Sequence, residues 1–106
     1  MTNTSIPSQE PVTYSIQLIS PSHADEIKSN LEKIIGVISA EIVQYNHLPK
    51  NQIDVISTVD AFEELWSVKL DDKGGLYYEM AGNPIIPQNY SAKVKSVTIS
   101  RDYIQN

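Results

Sequence analysis

There is no cysteine among these 106 residues, and only one tryptophan, one phenylalanine and two histidines. Without cysteine, disulfides, iron–sulfur clusters, thiolate zinc sites and cysteine nucleophiles are all excluded, and the composition fits a cytoplasmic protein. Positive charge is also scarce. Arg101 is the single arginine, and Asp and Glu outnumber Lys and Arg by 13 to 8, for a formal net charge of −5. Nucleic-acid affinity comes mainly from clustered Lys and Arg, so no nucleic-acid partner is expected. No apolar run approaches the roughly 20 residues needed to cross a bilayer, so no membrane partner is expected. Met1 to Pro11 has neither the basic nor the apolar region of a secretory signal. It is rich in Thr, Ser, Gln and Pro, a composition unable to bury a core. The expectation is a flexible segment over 1–11 followed by one α+β domain over 12–106.

What is present is patterned. Val12, Tyr14, Ile16 and Leu18 alternate with Thr13, Ser15 and Gln17, the period of a half-buried strand. Ser20-Pro21-Ser22 ends it, and Ser22 with Asp25 three residues on predicts a helix start near His23. Ile27, Leu31, Ile34 and Ile35 fall on one helical face. Two readings follow. Gly36 stops the helix near Ile35 and the β-branched run from Val37 to Tyr45 is a strand; or one long helix continues to about Asn46. The first is favoured. Gln52 to Thr58 is a further strand. From Val59 to Met80 two readings compete evenly: a helix opened by Asp60 and Glu63 with Phe62, Leu65, Trp66 and Leu70 buried, or a hairpin turning at Asp71 to Gly75. Leu76 to Met80 is a strand in both, Pro84 to Asn89 a loop, and Lys93 to Ser100 a last strand.

In order these elements read βαββαβ, a ferredoxin-like sandwich with an extra C-terminal strand; the alternative is one long helix on a four- to five-stranded antiparallel sheet, β-α-β-β-β-β. Ile27 to Val43, with its helix ending in Ile-Gly-Val before a strand, resembles the first helix and second strand of small ACT-type and heavy-metal-associated domains. The resemblance covers about a third of the chain and implies a fold. It does not bring the functional residues of those families. The loop ahead of the helix is Ser20-Pro21-Ser22-His23, with neither the paired cysteines of a copper carrier nor the glycine of an ACT-type amino-acid site. Acylphosphatase-like chemistry implies an early arginine, and Arg101 is far from that place.

No catalytic, cofactor-binding or metal-binding residue is assigned. His23 and His47 lack ligand spacing. Asp71-Asp72 beside Gly74-Gly75 lacks the alternating ligands and closing Glu of a calcium loop. Glu63 and Glu64, as neighbours, cannot flank one bond, and no serine stands in a nucleophile elbow. Trp66, Tyr77, Tyr90 and Tyr103 are the candidate partner-binding residues, since Trp and Tyr are favoured in interface hot spots. If Leu76, Tyr78 and Met80 face the core, Tyr77 faces outward. Acidic residues concentrate between Asp25 and Asp72, while Lys93, Lys95 and Arg101 follow Pro84, an asymmetry open to self-association. The expected function is a non-enzymatic protein-binding or regulatory module acting through a sheet face or edge, on another protein or on itself as a homodimer. The alternative is a small-ligand sensor with its site near Ser20–His23.

Overall fold

A computed structural model describes residues 11–43, 51–74 and 77–100. The sequence expectations that fall on residues 1–10, Gln44 to Lys50 (with Tyr45 and His47), Gly75, Leu76, Arg101 and Tyr103 lie outside the described residues. Within them the order is β1 (Val12–Leu18), α1 (Ala24–Glu32), β2 (Val37–Val43), β3 (Gln52–Ser57), α2 (Val59–Trp66), β4 (Leu70–Asp72), β5 (Tyr78–Met80) and β6 (Val94–Ile99). The fold is α+β, with two helices and a main sheet in the order β2-β3-β1-β6 whose neighbours all pair antiparallel. A separate two-stranded ladder joins β4 to β5.

The alternation in β1 sets the core. Val12, Tyr14, Ile16 and Leu18 are all buried, and so are Ile53, Val55 and Ser57 of the adjoining β3. Ala24, Ile27 and Leu31 of α1 and Ala61, Phe62 and Trp66 of α2 complete the packed layer. The Tyr14 and Phe62 rings meet edge to face at 4.7 Å. Burying an aromatic or aliphatic side chain of this size contributes roughly 1.5–3 kcal/mol, so this layer outweighs any exposed ion pair.

The long single helix of the alternative reading is not found. Helix α1 stops at Glu32, Val37 N–H bonds back to Ile34 O at 3.1 Å, and Gly36 adopts φ +99°. That conformation is costly for residues with a Cβ. It also brings Gly36 against α2, where its carbonyl accepts from Thr58 N–H at 2.8 Å. Helix α1 starts beside His23 as expected, but without the Ser22 cap. Pro21–His23 form a 3₁₀ turn capped by Ser20, and α1 begins at Ala24 with no side-chain cap.

Each competing reading of the next region holds for half of it. Thr58, not Asp60, caps α2, its hydroxyl accepting from Ala61 N–H at 3.1 Å. The helix ends where Ser67 turns left-handed at φ 52°, and the hairpin begins at Leu70. Leu70 pairs with Met80 and Asp72 with Tyr78, so the turn lies between Asp72 and Tyr78, and the strand starts at Tyr78. This hairpin lies between α2 and β6 in the chain. The C-terminal strand β6 is integral to the main sheet, beside β1.

Candidate interaction surfaces

The aromatic residues expected to meet a partner are distributed otherwise. Trp66 is 0% exposed. Its ring lies 6.2 Å from Tyr14 and 6.3 Å from Tyr90, which is itself buried. Both are core residues, because α2 ends with its apolar face on the sheet and the 3₁₀ turn Gln88–Tyr90 folds Tyr90 over the indole. Tyr77 is half-buried, its hydroxyl 3.5 Å from a Glu79 carboxylate oxygen. Tyr103 lies outside the described residues.

The core cluster contains two buried polar atoms, Tyr14 Oη and Trp66 Nε1, that close no hydrogen bond of ordinary geometry. Burial pushes the Tyr14 phenol up to about 12, the nearby Tyr90 adds to the rise, and the approach of Trp66 and Ser57 opposes it. Burial also raises Tyr90, with Glu26 adding repulsion. Both phenols are thus held neutral inside the fold.

The apolar surface lies instead on the helical side. After α1 the chain turns through Ile34 to Gly36 and throws Ile35 into solvent, where it is 95% exposed. Across from it, Ile85 N–H donates to Trp66 O at 2.8 Å, which fixes the segment after β5 against the end of α2 and leaves the Ile85 side chain 61% exposed. Between them runs a groove of about 470 Å³ walled by Ile34, Ile35, Leu65, Ile85 and Pro87, with Ala61 in its lining and Glu64 at its rim. A second hollow shares Glu64 and Ser67 and adds Asp60, Glu63, Val68 and Lys69. Glu63 is engaged, since its carboxylate accepts from Leu70 N–H at 2.8 Å; Glu64 and Asp60 are exposed.

The sheet face away from the helices is polar and largely self-satisfied. Ser15 donates to Asp54 at 2.8 Å, Gln17 donates to Gln52 at 2.8 Å, and Gln52 donates to Asp54 at 2.9 Å. These are the residues that register places opposite one another on β1 and β3. Such a face offers a partner little apolar area.

The remaining candidates are dispersed. His23 sits at the start of α1 and Asp71 and Asp72 on the exposed hairpin. Among the described residues, no three His, Cys, Asp or Glu side chains gather as a metal site would require, and no helix is long and apolar enough to cross a membrane. The charge asymmetry is partly used within the chain: Lys93 Nζ reaches Glu26 at 2.8 Å, tying α1 to the start of β6. The hydrogen bond from Lys93, then its charge, holds the Glu26 carboxyl below its ordinary value. Sequence periodicity had no means of finding the groove, because its walls come from three separated segments. The one local signal was Ile35, an isoleucine directly before a glycine that ends a helix. Comparison with family models, with curated proteins and with solved structures finds no match.

Proposed function

We propose that this chain is a non-enzymatic protein-binding module, cytoplasmic and regulatory in role, whose contact surface is the groove between the α1–β2 turn, α2 and the segment after β5. The observation that carries this reading is the pair of isoleucines, Ile35 and Ile85, held exposed on opposite walls of one apolar groove. Exposed apolar area gathered in a groove marks interaction sites more often than scattered single residues do. The rim selects the occupant. Glu64, with Asp60 one turn earlier, places negative charge beside aliphatic walls, and the chain's net charge is −5. A partner segment with an aliphatic anchor and a neighbouring Lys or Arg matches both, and the charge would speed encounter. The frame is read as ferredoxin-like βαββαβ with a hairpin inserted before its last strand. Support comes from the sheet order β2-β3-β1-β6 and from helices that follow β1 and β3.

A selection from a displayed random-peptide library against the intact chain tests the reading. Enriched peptides should combine aliphatic and basic residues and should bind the Ile35→Ser variant at least about tenfold more weakly, equivalent to about 1.4 kcal/mol. Glu64→Lys should weaken the same peptides and remove their salt dependence. Peptides that bind the wild type and Ile35→Ser alike, or a selection that enriches nothing, would overturn it.

A further inference from the structure

Strand β2 stands at one end of the main sheet and pairs with β3 alone. Its outer edge carries a row of backbone groups with no strand beside them among the described residues, and such edges are templates for pairing. Three observations single out a second copy of this chain as the occupant. The strand reads Val37-Ile38-Ser39-Ala40-Glu41-Ile42-Val43, nearly the same in both directions about Ala40. Ile38, in the irregular step between Val37 and Ser39, is 61% exposed at that edge. It shares a shallow hollow of about 460 Å³ with Lys28 and Glu32 of α1. Finally, the strand has no lysine and no proline to guard its edge, Glu41 is its one charge, and its one irregularity is confined to the Val37 end.

We propose that two copies associate about a two-fold axis by antiparallel pairing of β2 with β2, in register about Ala40. Antiparallel pairing inverts one strand, so this register sets Ala40 opposite Ala40 of the second copy and Ser39 opposite Glu41, and brings Ile38, at the irregular step, beside Ile42. Apolar residues meet apolar residues, and the carboxylate meets a hydroxyl. Neighbouring registers fare worse. Centred on Glu41, two carboxylates face each other, which is destabilising; centred on Ser39, Glu41 to Val43 would run against the irregular end of the second copy. The contact is isologous, as a two-fold interface requires. The ladder irregularity lies at the Val37 end, so Ser39 to Glu41 are regular on both strands of the new pairing. This surface is separate from the groove and does not depend on it.

The absence of cysteine makes a clean test available. Facing residues in an antiparallel pair have Cα atoms about 4.5–5.5 Å apart, within the disulfide range of roughly 4.4–6.8 Å. Ser39 is half-buried and Glu41 exposed, so the double variant Ser39→Cys, Glu41→Cys should fold. On mild oxidation it should run as a covalent dimer on a non-reducing gel, while either single variant cross-links poorly. Light scattering of the unmodified chain at tens of micromolar should give twice the monomer mass. Ile38→Lys, at an exposed position, should keep the circular dichroism spectrum and return the monomer mass, with dimer dissociation raised at least about tenfold. A monomer mass for the unmodified chain, or a dimer that Ile38→Lys leaves intact, or single variants that cross-link as well as the double, would each overturn the proposal.

Discussion

Replacing Gly36 by alanine is expected to destabilise the fold by about 2–5 kcal/mol, and the size follows from two separate terms. Gly36 sits at φ +99°, where an L-residue is strained by about 1–2 kcal/mol. A Cβ built there would lie 2.7 Å from Ala61 Cβ and 2.8 Å from Thr58 Oγ1, well inside the roughly 3.5–4.0 Å of ordinary contact. Neither neighbour can retreat cheaply. Ala61 Cβ is fixed to the backbone of α2, and moving Thr58 Oγ1 surrenders the cap of that helix, at about 1 kcal/mol. Overpacking of this kind costs about 1–3 kcal/mol. Urea unfolding followed by far-ultraviolet circular dichroism should show a lower midpoint with an unchanged slope. The melting temperature should fall by roughly 10–20 °C for a chain of this length. In an Ala61→Gly background the contact with Ala61 Cβ is gone while that with Thr58 Oγ1 remains, so the cost of Gly36→Ala should shrink in part, a coupling of at least about 0.5 kcal/mol. A loss no larger than the roughly 1–2 kcal/mol of backbone strain for the single variant, or strict additivity in the pair, would refute the packing argument.

Other consequences are open to measurement. Tyr14 is neutral in the folded state up to about pH 12 but ionises near pH 10 when unfolded. Its contribution is therefore intact below pH 10 and lost as pH rises toward 12, by up to about 2–3 kcal/mol. Tyr14→Phe should flatten that decline, and because the buried hydroxyl closes no hydrogen bond of ordinary geometry among the described residues it should be neutral or stabilising near pH 7, as urea unfolding would read. Glu63→Ala should free the start of the hairpin by removing the acceptor for Leu70 N–H. Amide exchange at Leu70 should accelerate and stability fall by about 1–2 kcal/mol. Lys28→Ala breaks an exposed pair with Glu32 and should change stability by less than about 1 kcal/mol.

Much of the fold could be read because some residues act locally. The two-residue alternation in β1 and the glycine at 36 announce their roles without reference to anything distant. The boundary between α2 and the hairpin could not be read, because Ser67 provides the left-handed turn, and serine is not a residue whose type signals it. Trp66 and Tyr90 were misplaced for a related reason. An aromatic side chain serves a core or an interface equally well, and only the fold of the segment 81–93, which returns Tyr90 to the indole, decides between them. The groove is less legible still, since no window of sequence contains Ile35, Leu65 and Ile85 together.

The position of β1 also governs how the chain reaches this state. It is flanked by β3 and β6, whose residues pair with Tyr14 across about 40 and 85 positions of sequence, as Tyr14↔Val55 and Tyr14↔Ile99 record. Contacts so distant slow folding. Until β6 arrives, the strand that carries four fully buried apolar side chains has one bare edge, and during that interval it is open to misassociation. Conditions that delay the last strand should therefore lower the yield of folded protein at high concentration, even where the finished structure is stable.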